Sequence, residues 1–201
     1  RLRGAISEVP SGVATLTDRV LPNLLPAPDA AAFDATVEQT ILIDQPPPRE
    51  LNPRATSFTA LTAIPSSGYF ARSATHRAIV LLTDGESSFY EPATIARALA
   101  APRRTDLLVV QFWRANESVY KASGRPDPNY RPDPASKTQL AALAAATHGR
   151  VFPEASLGGA ASALRGMLGN GPTKQVGRER TTRPLAPYLA ALALLPLALI
   201  F

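Results

Sequence analysis

Short apolar runs alternate with helix-spaced apolar positions along residues 1–168. Two runs are apolar at every position, Ala78–Leu82 and Leu107–Val110. Continuous apolarity of this length predicts a strand that is buried on both faces, as the inner strands of a parallel sheet are. Two weaker β-prone runs, Val13–Thr17 and Arg150–Phe152, predict shorter strands.

Apolar residues three or four positions apart predict helices between these strands. The predicted helices cover Ala30–Thr40, Glu91–Ala101, Ser136–Thr147 and Ala160–Leu168, and a further helix begins near Thr56 and Ser57. We expect Phe58, Leu61 and Ile64 of that further helix to point inward. The order of the elements predicts an α/β fold, with a doubly wound, mostly parallel, Rossmann-like sheet and helices on both faces.

Residues 114–134 interrupt this rhythm, because they are polar and aromatic and contain the sequence Arg-Pro-Asp-Pro twice. They predict a long loop or a hairpin inserted into the domain. Trp113, Tyr120 and Tyr130 are its candidate contacts for a partner, since aromatic side chains dominate the energetics of many interfaces. The proline-rich residues 44–53 predict another loop.

Residues 184–201 form an uncharged run of 18 residues rich in Leu and Ala. As a helix this run would span about 27 Å, close to the thickness of the hydrocarbon core of a bilayer. A buried core helix normally keeps a polar stripe, and this run has none. It therefore predicts a transmembrane helix, a single pass in this chain, with residues 169–183 as a basic linker before it. The orientation in the membrane stays open.

The composition excludes several chemistries. With 0 Cys there is no disulfide, thiolate metal site or thiol nucleophile. The net charge is +5, but much of it lies in the linker, at Lys174, Arg178, Arg180 and Arg183. Aromatic residues make up 6% of the chain and do not interleave with that cluster, so we expect no nucleic-acid binding.

The apolar run Ala78–Leu82 ends in Thr83, Asp84 and Gly85. Ligands of open parallel sheets collect at the carboxyl ends of the strands, so Asp84 is expected to project at that edge. Asp-Gly is also common in ordinary turns, which leaves a purely structural explanation open. Glu86 and Ser87 follow and are further candidates for contacts with a partner.

The run IVLLTDGES resembles part of a von Willebrand factor type A (VWA) domain, together with Thr56 in RATSFTAL and the later TDLLVVQFW and LAALAAATHGRVF. The resemblance covers residues 1–168. It implies a metal-ion-dependent adhesion site made by an Asp-x-Ser-x-Ser loop, a Thr and the Asp of Thr-Asp-Gly. Thr56 matches the second element, although it could equally be only a helix cap, and Asp84 matches the third.

The first element, Asp-x-Ser-x-Ser, is absent from the sequence. The chain starts at Arg1 and not at Met, so we expect it to be part of a longer protein and to lack the first strand and its metal loop. The site implied by the resemblance would hold Mg²⁺, or Mn²⁺ or Ca²⁺, through oxygen ligands. As it stands, the chain is expected to bind such an ion poorly.

A VWA-like domain followed by a membrane span also resembles the bacterial aerotolerance-related, BatA-like membrane proteins, which implies the cell membrane and further spans upstream. The expected function is a membrane-anchored module that binds a protein partner through a divalent metal, without catalysis. One alternative is a Mg²⁺-dependent Rossmann-like enzyme, against which stands the absence of a glycine-rich phosphate loop and of a nucleophile elbow. The other is a metal-free scaffold that binds through residues 114–134.

Overall fold

The computed structural model describes residues 2–41, 56–120, 123–169 and 171. The predicted proline-rich loop, nearly all of the predicted linker and the predicted transmembrane helix over 184–201 lie outside these residues. Within the described ranges, no helix combines the length and the apolar character needed to cross a membrane.

The N-terminal part forms a small antiparallel hairpin with a helix on either side of it in sequence. The elements are α1 (Leu2–Ala5), β1 (Ser11–Leu16), β2 (Val20–Ala27) and α2 (Ala30–Gln39). β1 and β2 make a two-stranded sheet in which Leu16 and Val20 form the pair next to the turn. The sequence did not predict β2, because Pro22 and Pro26 argue against a strand. A two-stranded ribbon tolerates them, since proline can occupy strand positions whose N–H is not needed in the ladder.

The remaining elements alternate between strand and helix. They are β3 (Ala78–Thr83), α3 (Pro92–Ala100), β4 (Asp106–Gln111), α4 (Ser136–Thr147), β5 (Arg150–Pro153) and α5 (Leu157–Leu168). The three strands form a parallel sheet in the order β3-β4-β5. The prediction of an α/β fold with a parallel sheet flanked by helices is therefore confirmed.

β4 is the buried centre of this sheet, because helices cover both of its faces. Leu107 and Val109 pack into one apolar cluster with the inward side chains of α3 and α4, which are Ile95, Leu99, Leu140 and Leu143. Leu108 and Val110 face the opposite way and pack on Ala160 and Leu164 of α5. The apolar run of β4 thus has the two-faced burial that its sequence predicts.

β3 does not have that burial, although its sequence is equally apolar. In the described sheet it is an edge strand, and Leu82 is 57% exposed whereas Leu81 is 6% exposed. The Asp106 and Phe112 amides donate to the Arg77 and Thr83 carbonyls. Because parallel ladders alternate, the backbone groups of Leu82 point away from β4. The prediction of β3 as an inner strand is wrong for the described residues, since apolarity does not identify a strand's neighbours.

The helix predicted from Thr56 and Ser57 is a short 3₁₀ helix, Phe58–Ala63. Phe58, Leu61 and Ile64 are buried as expected. The predicted helix Ala30–Thr40 is confirmed as α2, but α2 contains no buried residue. Val37 is 42% exposed, and Ile41, two residues beyond the end of the helix, is 39% exposed.

The described part of residues 114–134 contains no helix or ladder. Tyr120 bridges Pro126 in antiparallel sense, and the Asp127 amide donates to the Val119 carbonyl at 2.7 Å. These contacts support the hairpin form of the predicted insertion.

Candidate functional site

The turn after β3 is built around Gly85. Its φ is +98°, and a Cβ added there would lie 2.9 Å from Leu140 Cδ1. The Gly85 amide donates to Thr83 Oγ1 at 3.0 Å, and the Glu86 amide donates to Asp84 Oδ1 at 2.9 Å. The turn therefore needs glycine for both its conformation and its packing, and it holds Asp84 at the carboxyl end of β3.

Two polar side chains support the turn from behind. Gln111, at the end of β4, donates from Nε2 to the Asp84 carbonyl at 3.1 Å and to Ser136 Oγ at 3.3 Å. Ser136 is fully buried in the first turn of α4. Neither residue was predicted from the sequence. The available signal was a glutamine that ends an otherwise apolar strand, beside the neighbouring strand that ends just before Asp84.

The Thr56 loop meets the loop after β3. The Ser88 amide donates to the Thr56 carbonyl at 2.7 Å, and the Phe58 amide donates to Ser87 Oγ at 3.0 Å. Two segments far apart in sequence, each predicted to carry a site residue, are thus joined at one edge of the sheet. Thr56 makes this contact through its backbone carbonyl.

The insertion reaches the same edge through Glu86. Glu86 Oε1 accepts hydrogen bonds from the Tyr130 hydroxyl at 3.0 Å and from the Asp133 amide at 2.8 Å. Burial raises the pKa of the Tyr130 hydroxyl well above its usual range, and so do the hydrogen bond to Glu86 and the negative charges of Glu86, Glu117 and Asp84. Glu86 and Tyr130, predicted separately as contacts for a partner, therefore bind each other.

The remaining predicted contacts have different surroundings. Trp113 is partly buried, and its indole N–H has no partner among the described residues. Tyr120 is 64% exposed. Phe89, which was not predicted as a contact, is 92% exposed in the same loop as Asp84 and Ser87. An aromatic residue inside the polar run GESSFYEP was the signal for it.

The donor set fits a divalent cation only in part. Within the described ranges, no group of three or more His, Asp or Glu side chains is arranged to hold a metal. Glu86 and Ser87 already make hydrogen bonds inside the protein. Asp84, whose Oδ1 also accepts the Glu86 amide, and Thr56 offer a carboxylate and a hydroxyl, which are oxygen ligands of the kind that Mg²⁺ prefers. These two alone would leave most of the coordination shell to water or to other groups.

Comparisons with known proteins find two solved structures with a similar fold. No family profile and no curated protein matches the sequence. A structure of the conserved hypothetical protein BatB from Bacteroides thetaiotaomicron is similar, with a TM-score of 0.57 and 14% identity over 83% of each chain. An aerotolerance-related membrane protein from Bacteroides fragilis gives a TM-score of 0.53 at 15% identity, over 83% of this chain and 84% of that one. At these identities the likeness concerns the fold.

Proposed function

We propose that the protein is a membrane-anchored interaction module of the VWA type, which binds a protein partner through a divalent cation held in part by Thr56 and Asp84. One observation carries the proposal: the 2.7 Å hydrogen bond from the Ser88 amide to the Thr56 carbonyl. It joins the two loops that bear the candidate ligands, at the carboxyl edge of a parallel sheet. This is the edge at which sheets of this class bind ligands.

The chemistry at this edge suits adhesion better than catalysis. A cation held by one carboxylate and one hydroxyl keeps much of its positive charge, so a carboxylate of the partner is a favourable additional ligand. Gln111, itself held by Ser136, donates to the Asp84 carbonyl from behind, which restrains the backbone that carries the carboxylate before the partner arrives. A preorganised ligand of this kind lowers the entropic cost of binding.

The membrane anchor in this proposal is the uncharged run over residues 184–201. Two fold neighbours, one named BatB and one named an aerotolerance-related membrane protein, add support from the described domain. The anchor predicts that the full chain stays in the membrane pellet after an alkaline carbonate wash. A chain that ends before Pro184 should appear in the supernatant, and equal partition of the two chains would contradict the anchor.

The metal site is tested by paramagnetic NMR on the full chain in detergent micelles. Substoichiometric Mn²⁺ should broaden the backbone amide signals of Ser57, Gly85 and Glu86 before those of other residues. Asp84→Asn should remove this selective broadening. The matched control, Asp34→Asn on the exposed surface of α2, should retain it. Uniform broadening, or selective broadening that persists in Asp84→Asn, would overturn the metal site.

A metal-free scaffold is the second candidate, and the insertion favours it. Glu86 ties residues 114–134 to the same edge, and Val119 and Tyr120 are 48% and 64% exposed. In this version neither a chelator nor Asp84→Asn changes the affinity for the partner, whereas Tyr120→Ala lowers that affinity. The metal-dependent version requires the chelator and Asp84→Asn to weaken binding together.

A further inference from the structure

Phe89 is the most exposed of the large apolar side chains in the described residues, at 92%. Single exposed apolar residues are common on protein surfaces, so the exposure alone assigns no role. The position is more informative, because Phe89 follows Ser87 and Ser88 in the loop that carries Asp84. It therefore projects from one of the two loops that form the candidate site.

The chain is fixed on both sides of Phe89. The Ser88 amide donates to the Thr56 carbonyl at 2.7 Å, and Tyr90 is 8% exposed with its ring 5.2 Å from the ring of Phe58. Phe89 lies between these two anchored neighbours, so it cannot turn inward unless one of the contacts breaks. A side chain displayed on a fixed backbone loses little further freedom on binding.

The charge of the chain segment that carries Phe89 favours a protein over a lipid surface as the occupant. Between Arg77 and Arg97 the charged side chains are Asp84, Glu86 and Glu91, all of them acidic. Negative charge beside an inserting aromatic ring opposes anionic lipid headgroups. An apolar pocket on a protein has no such penalty, and aromatic side chains that fill a partner's pocket are the usual dominant contacts of interfaces.

We propose that Phe89 is the apolar anchor of this edge and that it inserts into an apolar pocket of the protein partner. The inference rests on the proposed function, since it takes the Asp84 edge as the side that meets the partner. It differs in its chemistry, because a buried phenyl ring needs no metal. The two can therefore fail separately.

The experiment first identifies the partner with the full chain in its own membrane. The photoreactive phenylalanine analogue p-benzoylphenylalanine is placed at position 89, and at Leu25, which is 54% exposed on β2, as the control. The protein cross-linked from position 89 is then purified. Its Kd is measured for the unchanged chain, Phe89→Ala, Phe89→Leu and Leu25→Ala, with Mg²⁺ and with a chelator.

We expect an adduct from position 89 that position 25 does not give. Phe89→Ala should raise Kd at least tenfold, Phe89→Leu less than threefold and Leu25→Ala less than twofold, with the urea unfolding midpoint unchanged. The effect of Phe89→Ala should persist in chelator. If Asp84→Asn and chelator leave Kd unchanged while Phe89→Ala raises it, the proposed metal contact is wrong and the proposed role of Phe89 is supported.

Three results would overturn the role of Phe89 as the apolar contact with the partner. The first is the absence of a protein adduct specific to position 89. The second is a Kd for the adduct protein that Phe89→Ala leaves unchanged. The third is binding to vesicles of phosphatidylcholine and phosphatidylglycerol that Phe89→Ala abolishes, with lipid as the cross-linked species, which would make the residue a membrane contact.

Discussion

The hydroxyl group of Tyr130 donates a hydrogen bond to Glu86 Oε1 across 3.0 Å. This bond joins the insertion to the loop after β3, and the Asp133 amide reinforces it by donating to the same oxygen. The carboxylate of Glu86 is therefore committed to holding the insertion in place. Asp84, two residues earlier, accepts the Glu86 amide within its own turn through Oδ1 and is the remaining candidate carboxylate of the site.

Tyr130→Phe should loosen the insertion without unfolding the domain. The change removes one hydrogen bond to a partly exposed carboxylate, so the free energy of unfolding should fall by about 1 kcal/mol. Amide hydrogen exchange should speed up in residues 123–134 and stay unchanged in β4. Tyr120→Phe is the matched control, because Tyr120 is exposed. Faster exchange spread evenly over the domain would contradict the local role of this bond.

The same bond makes stability depend on alkaline pH. The folded protein raises the pKa of Tyr130, so above about pH 10 the unfolded chain loses this proton first. The contribution of Tyr130 is complete below about pH 10 and is lost as the pH rises further. The unchanged protein should therefore lose more unfolding free energy than Tyr130→Phe between about pH 9 and about pH 11. Parallel pH profiles for the two proteins would refute this.

Gly85→Ala should destabilise the protein more than Gly68→Ala. Both glycines have positive φ, +98° and +75°, but only at Gly85 would a Cβ meet other atoms. Each change costs about 1–2 kcal/mol of backbone strain, and Gly85→Ala adds about 1–3 kcal/mol of overpacking against Leu140 and Ser136. Urea unfolding followed by the fluorescence of the single Trp measures the difference. Equal costs would mean that the packing behind the turn relaxes.

Ser87→Ala should cost more than Ser88→Ala, although the two serines are adjacent. Ser87 accepts from the partly buried Phe58 amide through its side chain, whereas Ser88 contacts Thr56 through its backbone. Loss of the Ser87 hydroxyl leaves that amide without its acceptor, which costs roughly 1–3 kcal/mol. Thermal unfolding compares the two variants. A larger loss in Ser88→Ala would show that the loops are joined differently.

Neighbouring leucines of β3 should respond very differently to truncation. Leu81→Ala removes a buried side chain from the core and should cost about 2–5 kcal/mol. Leu82 is 57% exposed, so Leu82→Ala should cost less than about 1 kcal/mol. Chemical denaturation of the two variants tests this, and similar losses would show that Leu82 is buried in solution.

These results show which properties the sequence specified. The periodic patterns predicted β4, α3 and α4 well. Burial of a strand on two faces, or of a helix on one face, directly determines which of its positions are apolar. β3 has the same apolar record, but its position at the edge of the described sheet depends on which strand lies next to it. A pattern within one strand carries no such information.

The candidate site was also predictable from the sequence only in part. Asp84 could be placed at the sheet edge because the apolar run of its strand ends two residues earlier, at Leu82, and the structure brings the loop of Thr56 to it. Phe89 and Gln111 left signals in the sequence that mark them as unusual, but their roles depend on tertiary contacts of Ser88, Tyr90 and Ser136. The pairing of Glu86 with Tyr130 depends on how a long irregular segment folds back, which no local periodicity encodes.

The two sheets also differ in how quickly they can assemble. Leu16 meets Val20 across a tight turn, so the hairpin has a small loop-closure cost and can form within microseconds. Ala78 meets Asp106 only after a complete helical crossover, and long-range parallel pairing is intrinsically slow. The turn at Asp84 takes its final form only when β4 supplies Gln111. During folding, therefore, we expect the edge that would recognise a partner to be among the last parts to appear, and until then both edges of the apolar β3 are open to pairing with strands of other chains.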